Sequence, residues 1–373
     1  MKKILLVQRD VTHYRKLLIE YIESRGECLI TPVCISDGQS AKGDKAIRVP
    51  AITLFEYRGR IIRYSKAMVS YVKNHYSQYD YIILEGATNL INNIPICRYL
   101  HKEGIPYIVW DAGRRKNAEM TILRRLMQRK LEFIWKNAAA IIAYSTIAKQ
   151  YFVNLGISEE QVFICQNTLY VDTFDKQIAA LTQEDIKSIR QKYAPKQQKI
   201  ILYVGVIEKR KRVTDLVDAF EIVKNKHKDV VLLIIGGGDY FKELTDYCIG
   251  KEDIFLLGPI IEGVIKYFMA ADLFVLPSQG GLSINQAMIC SKPVIASSAD
   301  GTELDLIEQG KNGFLFEEKN IDELVDRIDE VISDDEKLVS MGQHSRMIIE
   351  ERINEKTFYD NFKKCINSVK KSK

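Results

Sequence analysis

The chain alternates short apolar runs with segments of helical period, and this rhythm occurs twice. In the first half the strand candidates are Ile4–Val7, Tyr81–Leu84, Tyr107–Trp110 and Ala140–Ala143. In the second half they are Ile200–Val204, Val230–Ile235, Ile254–Leu257, Leu273–Leu276, Val294–Ala296 and Phe314–Phe316. Such alternation of strand and amphipathic helix predicts βα units and a mainly parallel sheet that is covered on both faces.

A polar stretch separates the two halves. Residues 170–198 contain Pro195 and no sustained apolar strand, so we predict a linker with one short helix there. The flanking segments, 1–169 and 199–355, then form two Rossmann-like domains, and residues from about 356 to 373 form a final helix. Ligands of such sheets bind beyond the carboxyl ends of the strands. We therefore expect the site in a cleft between the domains, with a hinge near 167–172 that closes it.

Composition excludes several classes of protein. The 373 residues are 46% hydrophobic and 28% charged, as in soluble globular enzymes. No two of the seven cysteines form a CxxC pair, which argues against a zinc ribbon and a disulfide framework. The apolar runs are far shorter than the roughly 20 residues of a spanning helix. Met1 leads directly into the first strand, without the pattern of a cleavable signal. We expect a cytoplasmic protein.

The net charge of +5 is unevenly distributed. Residues 1–195 carry 29 lysines and arginines against 19 acidic residues, whereas the remainder carries 25 against 30. A basic first half favours an anionic partner, such as a membrane, a nucleic acid or a phosphorylated acceptor. The alternative is a lysine-rich surface that is simply solvated.

Two loops of the second half have the chemistry of a phosphate site. Gly205 follows a strand, and the basic run Lys209–Arg212 precedes a helical segment that begins at Val213. Amide donors and fixed positive charge would converge there on a diphosphate; an exposed basic turn is the alternative. The glycines Gly236–Gly238 close the next strand, but the spaced-glycine fingerprint of dinucleotide enzymes is absent.

A second glycine loop lies in the segment Val275–Met288, where a buried strand runs into Gly280 and Gly281. A helix is predicted to begin at about Leu282 or Ser283. Its first amides would point at an anion, because the N-terminal N–H groups of a helix have no partner within it.

The ordered series of these motifs resembles the family-4 retaining glycosyltransferases of the GT-B fold. The series comprises Val204–Gly205, Lys211, Ile235–Gly238, Leu257–Gly258, Ala271–Asp272, Pro277–Ser278, Ala287–Met288, Pro293–Ala296 and Asn312–Phe314. The resemblance covers nearly the whole chain. It implies an α/β protein with two Rossmann-like domains facing across a cleft, and a C-terminal helix that crosses back to the first domain.

The resemblance also implies a reaction. A hexose would pass from a UDP- or GDP-sugar to a glycan or lipid-linked acceptor, with retention of configuration and without a metal or cofactor. In this family the leaving phosphate is thought to accept the acceptor's proton, so no enzymic base is required. Assembly of cell-envelope or capsular polysaccharide is the usual task of such relatives.

The family's diphosphate lysine corresponds to Lys211, which is a candidate catalytic residue. The other candidates for donor binding are Gly205, Lys209, Arg210, Gly237, Leu257, Ser278, Gln279, Gly280, Gly281, Leu282, Ser283 and Gln286.

This sequence departs from the family pattern at three positions. Val206 stands where an arginine is expected, and Lys209 or Arg210 would have to compensate. Ser278 and Gln286 stand where the family has two glutamates eight positions apart. The short Gly-Gly-Leu-Ser loop looks like a subgroup in which the loop itself meets the donor sugar-phosphate. Gln286 could still hydrogen-bond a hydroxyl, although it has no charge. Asp305 stands where the family often has an acid, near the glycine that follows.

The first half offers candidates for the acceptor side. His13, Tyr14 and Arg15 follow the first strand; His13 is a second catalytic candidate, and Tyr14 and Arg15 are candidates for acceptor binding. Asp111 ends a strand where many relatives carry a functional histidine, so it is the third catalytic candidate. Arg114 follows as another acceptor contact. Ordinary helix-capping and surface roles are the alternatives for these residues.

Residues 114–136 combine an apolar stripe with arginines and lysines. Such a helix could dock on anionic lipid, which suits a lipid-linked acceptor. The alternative is a helix that packs on the core with a solvated basic face. Nucleic acid is not an expected partner, because no nucleic-acid motif is present. For the whole chain, the alternatives to a transferase are a non-catalytic GT-B module or a sugar-nucleotide epimerase of the same fold.

Overall fold

The structure is a computed structural model that describes residues 1–35, 45–57, 60–86, 91–113, 122–299 and 301–372. Within the helices and strands, the side chains at positions 13, 57, 60 and 122–127 are outside this description. The chain forms two compact units. One comprises Met1–Asn167 and Glu355–Lys373, and the other comprises Thr168–Asn354.

Among its described residues, the first unit contains a seven-stranded parallel sheet and a separate hairpin. The strands are β1 (Lys2–Val7), β2 (Cys28–Ile35), β3 (Ile47–Val49), β4 (Ile52–Tyr57), β5 (Arg60–Tyr64), β6 (Tyr81–Glu85), β7 (Ile108–Asp111), β8 (Ala140–Ala143) and β9 (Val162–Ile164). The order is β3-β2-β1-β6-β7-β8-β9, and β4 pairs antiparallel with β5. The order reverses between β1 and β6, which is where ligands of such sheets bind.

Helices cover both faces of this sheet. They are α1 (His13–Ser24), α2 (Lys66–His75), α3 (Asn93–Lys102), α4 (Ile122–Lys136) and α5 (Thr146–Asn154). Because side chains alternate along a strand, β1 contributes Leu5 and Val7 to one apolar layer and Ile4 and Leu6 to the other.

The second unit has a six-stranded parallel sheet in the order β12-β11-β10-β13-β14-β15. Its strands are β10 (Lys199–Val204), β11 (Val230–Ile235), β12 (Ile254–Leu256), β13 (Leu273–Leu276), β14 (Val294–Ser297) and β15 (Gly313–Phe316). Its helices are α6 (Val171–Ala180), α7 (Gln183–Tyr193), α8 (Val213–Lys226), α9 (Phe241–Tyr247), α10 (Ile265–Ala270), α11 (Leu282–Ile289), α12 (Glu303–Leu306), α13 (Ile321–Ile332) and α14 (Asp335–Glu351).

The last helix, α15 (Glu355–Ser368), packs on the sheet of the first unit. Phe358 lies against Trp110, with ring centroids 5.6 Å apart, and Phe362 and Ile366 are buried in the same apolar layer. The predicted return of the C-terminal helix to the first domain is confirmed.

The prediction of a linker over 170–198 is wrong in its local structure. Two helices, α6 and α7, occupy this segment and belong to the second unit. Ile189 and Tyr193 are buried in that unit's core, and Arg190 Nη1 donates to Asp272 Oδ2 at 3.1 Å. The segment looks polar because α7 buries only a narrow stripe and is held partly by this ion pair.

Within the described ranges, no helix combines the length and the apolar character needed to cross a bilayer.

Candidate functional site

The candidate donor residues of the second unit lie at the carboxyl ends of neighbouring strands. β10 pairs with β11 on one side and with β13 on the other. The loop after β10 contains the basic run, the loop after β11 contains Gly236–Gly238, and the loop after β13 contains Gly280 and Gly281. Parallel strands therefore bring the three motifs to one edge of the sheet.

The basic loop is bound to the glycine loop by two hydrogen bonds. Lys211 Nζ donates to the carbonyl oxygen of Gln279 at 3.0 Å, and Ser278 Oγ donates to the carbonyl oxygen of Arg210 at 2.8 Å. The ammonium group of Lys211 consequently lies beside the glycine loop. Ser278 is buried, and its hydroxyl is occupied by this bond to the backbone of the basic loop.

The other cations of the basic loop are oriented differently. Lys209 and Arg210 are exposed, and Arg210 pairs with Glu208. Arg212 Nε donates to Asp215 Oδ2 at 2.7 Å, at the start of α8. The side chain of Val206 is exposed, while its carbonyl oxygen accepts a hydrogen bond from the buried Tyr203 at 3.0 Å. Lys211 is thus the cation of this run that reaches the glycine loop.

The glycine loop leaves open space in front of α11. Gly281 is the N-cap of this helix, and a Cβ atom there would meet no described atom within 4 Å. A Cβ atom on Gly280 would lie 3.6 Å from Ile284 Cδ1 and 3.8 Å from Glu303 Oε2. The first-turn amides of Leu282 and Ser283 have no carbonyl partners within the helix. Together with the helix dipole they favour an anion at this end. Gln286 lies half-buried one turn further on.

The three glycines after β11 have a packing role. A Cβ atom on Gly236 would lie 1.8 Å from the carbonyl oxygen of Gly205, and one on Gly238 would lie 2.2 Å from that of Ile207. Both glycines also have positive φ angles, +151° and +158°. Gly237 has ordinary contacts, and its carbonyl oxygen accepts from the amide of Ile207 at 2.9 Å. The close approach of these loops therefore requires Gly236 and Gly238.

Leu257 is half-buried against the core, and its amide donates to the carbonyl oxygen of Ile234 at 2.9 Å.

Sequence reasoning missed one acid at this edge. Glu303 begins α12 in the loop after β14, the strand beside β13, and is 1% exposed. Both of its carboxylate oxygens accept from the amide of Gly301, at 3.1 and 3.2 Å. Its side chain lies beside the glycine loop, whereas Asp305, the acid considered from sequence, is half-buried two residues on. The available signal was an acid just after a strand that neighbours the glycine-loop strand.

In the first unit, the side chain of Asp111 is buried and held from two sides. Its Oδ2 atom accepts from Trp135 Nε1 at 2.8 Å, and its Oδ1 atom accepts from the amide of Gly113 at 2.9 Å. A Cβ atom on Gly86 would lie 1.8 Å from Oδ2, so the carboxyl group occupies the space that this glycine leaves. Burial raises the pKa of Asp111 to about 7.

Arg15 lies inside the first unit. It is part of α1 and is 5% exposed. Its guanidinium carbon is 3.8 Å from the centroid of the Trp110 ring, and Nη2 donates to Tyr144 Oη at 2.6 Å. Burial raises the pKa of the nearby Glu85, and a hydrogen bond from the Arg9 amide and the charge of Arg15 partly counteract this increase. Tyr14 is half-buried beside it.

This cluster has hydrogen-bonding capacity that the described protein atoms do not use. Arg15 Nη1, Gln8 Nε2 and Trp110 Nε1 are buried and have no hydrogen-bond partner among the described residues. The side chain of His13 and the whole of Arg114 are outside the described residues, so the roles predicted for them stay predictions.

The described part of α4 packs on the core. Ile134 and Trp135 are buried, and Arg129, Lys130 and Lys136 are exposed. The predicted basic helix over 114–136 begins in residues 114–121, which lie outside the description. The end of α4 therefore has a core-packing face and a basic face.

Among the described residues, no group of three or more histidine, cysteine, aspartate or glutamate side chains is placed to hold a metal ion.

Comparisons with known proteins show which family and which folds the chain is similar to. Residues 185–347 match the family model "Glycosyl transferases group 1". The chain is 23% identical over 246 residues to the capsular polysaccharide biosynthesis glycosyltransferase CapM of Staphylococcus aureus, a match that covers 63% of each chain. It is 27% identical over 218 residues to a poly(ribitol-phosphate) alpha-N-acetylglucosaminyltransferase of the same species, covering 54% of this chain and 44% of that one. The chain spans roughly half to two thirds of the curated relatives that it matches.

Solved structures are similar over nearly the whole chain. Anabaena Alr3699/HepE in complex with UDP has a TM-score of 0.76 and 19% identity, covering 99% of this chain and 100% of that one. A sucrose-phosphate synthase from Thermosynechococcus elongatus has a TM-score of 0.74 and 18% identity, covering 98% of both chains. The predicted GT-B fold is confirmed. The match to the group 1 family model falls within the second unit.

Proposed function

From this fold and domain, we propose that the protein is a retaining glycosyltransferase that moves a hexose from a UDP- or GDP-sugar to a glycan or lipid-linked acceptor. The observation that carries the proposal is the position of Lys211. Its ammonium group lies beside the glycine loop, next to the first turn of α11, at the edge of the sheet where ligands of such folds bind. The structure of Alr3699/HepE in complex with UDP-glucose, at 19% identity, supports this choice of donor class.

The proposed chemistry is mainly electrostatic. The bond between the anomeric carbon and the diphosphate oxygen breaks, while the acceptor oxygen bonds to that carbon on the same face. The leaving phosphate oxygen takes the proton of the acceptor hydroxyl. Negative charge therefore builds up on the diphosphate, and Lys211 with the amides of Gly281, Leu282 and Ser283 would stabilise it. Closure around the donor would exclude water that would otherwise hydrolyse it.

We assign the sugar end of the donor to the side of the loop where Glu303 lies. A carboxylate there can accept hydrogen bonds from sugar hydroxyls, and Gly280 leaves room beside it. Gln286 would bind a ribose hydroxyl as a neutral partner. Ser278 has no direct role in this scheme, because its hydroxyl is bonded to backbone.

Metal independence is part of the proposal, since Lys211 and the helix amides are offered as the groups that neutralise the diphosphate. Turnover should then be the same with magnesium and with EDTA. A strict requirement for a divalent cation would contradict this element of the mechanism while leaving the donor class intact.

For the acceptor, we propose a substrate of envelope or capsular glycan assembly, used by a cytoplasmic enzyme at the inner face of the membrane. The name of the CapM relative and that of a mycobacterial phosphatidylinositol monomannoside mannosyltransferase, 22% identical over 172 residues, support this proposal. The acceptor would bind in the first unit, near Tyr14, Arg15 and Asp111.

A non-catalytic GT-B module is the second candidate, favoured by Val206, Ser278 and Gln286 at positions where the family pattern has charged residues. The experiment that separates them follows each nucleotide sugar in the presence of the protein. Release of nucleotide diphosphate, by transfer or by slow hydrolysis, supports the enzyme. A donor that binds and remains unchanged with a panel of lipid-linked and glycan acceptors supports the module.

A further inference from the structure

The first unit carries an unusually apolar projection, the hairpin β4–β5. Ile52, Leu54, Phe55 and Ile61 are 61%, 43%, 49% and 40% exposed, respectively. Large apolar side chains that are scattered singly over a surface need no explanation, but a contiguous group marks a binding surface. Four of them lie on this one two-stranded element, and the strand register decides which of them share a face.

The register of the hairpin places two of these side chains on one face. Ile52 pairs with Tyr64 and Phe55 pairs with Ile62, with a register shift between Thr53 and Phe55. Without that bulge, Ile52 and Phe55 would point to opposite faces, because side chains alternate along a strand. The irregularity therefore builds an apolar face from Ile52, Phe55, Ile62 and Tyr64.

The base of the hairpin is fixed to the body of the unit, whereas two apolar side chains of this face, Ile52 and Phe55, are exposed. Tyr64 is half-buried against the core of the unit, and Ser65 Oγ donates to the carbonyl oxygen of Pro50 at 2.5 Å where the two strands meet the body. Phe55, further along β4, is half-exposed. The hairpin is thus fixed at one end, while the exposed parts of Ile52 and Phe55 are not covered by any described part of the protein.

The positive charge of the hairpin segment favours an anionic lipid surface as its partner. By sequence, residues 51–66 carry three arginines and one lysine against one glutamate. Two copies of such a hairpin would repel each other, and the bulge in β4 disfavours strand pairing between copies. Apolar and aromatic side chains accompanied by basic residues are the composition that binds an anionic lipid interface.

We propose that the hairpin β4–β5 is a membrane-docking element that inserts Ile52 and Phe55 into the headgroup region of an anionic bilayer. The surface is distinct from the predicted basic helix over 114–136. The proposal does not depend on the transferase reaction, because vesicle binding is measured without substrate. Docking would fix the first unit, where the acceptor is proposed to bind, at the membrane surface.

The test is flotation of the purified full chain with vesicles of phosphatidylcholine containing about 30% phosphatidylglycerol. The double variant Ile52→Ser/Phe55→Ser should lose at least about tenfold in partitioning, because two apolar side chains no longer insert. The matched control is Ile249→Ser/Ile261→Ser, which removes two isoleucines of the second unit that are 76% and 92% exposed. It should bind as the unchanged protein does. Phe55→Trp should retain binding, and its emission should shift to the blue on vesicles.

Each outcome decides the proposal. Equal binding to neutral vesicles, or unchanged binding of the hairpin variant, would overturn it. The absence of vesicle binding by the unchanged protein would overturn it too, and a dimer that the hairpin variant dissociates would then identify a second copy as the partner. Unchanged melting temperatures would show that the variants fold, as expected for exposed positions.

Discussion

Individual side chains decide how the candidate site is built, and Lys211 and Ser278 illustrate this best. The sequence suggests both as groups that contact a ligand. In the structure the hydroxyl of Ser278 donates to the backbone of the basic loop, and the ammonium group of Lys211 donates to the backbone of the glycine loop. Such a reciprocal pair of contacts joins residues 68 positions apart, so no local pattern could have predicted it.

Arg15 shows the same limit in the first unit. Its position after the first strand predicts an acceptor contact, which stays a prediction; what the sequence does not indicate is that its guanidinium is stacked on Trp110. That partner lies on a strand far along the chain, so burial of the arginine depends on the sheet order and not on its neighbours in sequence.

Glu303 is the first residue whose role can be tested. Glu303→Gln keeps the shape and one carbonyl acceptor for the amide of Gly301, but removes the charge beside Gly280. If this acid binds the donor sugar, turnover should fall about tenfold or more, while the affinity for the free nucleotide changes less than about threefold. Steady-state kinetics together with nucleotide titration would measure both.

The matched control for this experiment is Glu317→Gln, which neutralises an exposed acid of the same unit. An equal loss of nucleotide affinity and turnover in Glu303→Gln would contradict the assignment, because it would indicate that the glycine loop as a whole had moved.

Asp111 predicts a pH dependence of stability. Its pKa is raised from an ordinary value of 3.8 to about 7, chiefly by burial. Between these values the folded protein holds a proton that the unfolded chain has released. The free energy of unfolding of the first unit should therefore decrease as the pH rises from about 4 to about 7, by a few kcal/mol at most.

Urea unfolding followed by tryptophan fluorescence measures this effect, since Trp110 and Trp135 both lie in the first unit. Asp111→Asn should be less stable at low pH, because its amide nitrogen cannot accept from Trp135 Nε1, and its stability should depend less on pH. Parallel pH profiles for the two proteins would show that the carboxyl group is already ionised when folded.

At the scale of elements, most strands with an unbroken apolar run were predicted, and strands whose apolar run is interrupted or irregular were missed. The runs at Ile4–Val7, Val230–Ile235 and Leu273–Leu276 all lie in observed strands, because strands covered on both faces are continuously apolar. β2 was missed because Thr31 and Pro32 interrupt its apolar run. The hairpin was missed because its exposed apolar residues do not follow a strict alternation, a consequence of the bulge.

Helix α7 was predicted less well for a related reason. It buries Ile189 and Tyr193, packs Ile186 partly against the core, and is polar elsewhere; it begins with a capping box at Thr182 and Asp185. The match to the group 1 family starts at residue 185, inside this helix. The segment is therefore part of the second unit and not a spacer before it.

The loops after β10 and β11 approach closely at the sheet edge, so alanine substitutions at the adjacent Gly236 and Gly237 should differ sharply in their effect on stability. Gly236→Ala would place its Cβ atom 1.8 Å from the carbonyl oxygen of Gly205, whereas Gly237→Ala makes only ordinary contacts near Pro259, at 3.5 Å. We expect the first substitution to destabilise the second unit by more than about 2 kcal/mol and the second by less than about 1 kcal/mol. Hydrogen exchange of β10 and β11 would measure the difference; similar protection in the two variants would contradict the packing described.

At the scale of the whole molecule, the order of the motifs along the sequence was more informative about the fold than any single motif. The GT-B fold and the return of α15 to the first unit followed from the ordered series and were confirmed. The polar contacts within each unit were not predictable, because they depend on which strands become neighbours. The uneven charge of the two halves, basic in the first, agrees with an anionic surface as the partner of the hairpin.

The central claim is that Lys211 and the glycine loop bind the diphosphate of a nucleotide sugar. The most direct test is calorimetric titration of UDP, GDP and their sugars, with and without magnesium, into the unchanged protein, Lys211→Ala and the control Lys242→Ala, an exposed lysine of the same unit. We predict that one nucleotide family binds, that Lys211→Ala weakens its affinity at least about tenfold, and that Lys242→Ala does not. Equal affinities in all three proteins, or no binding of any nucleotide, would contradict the account.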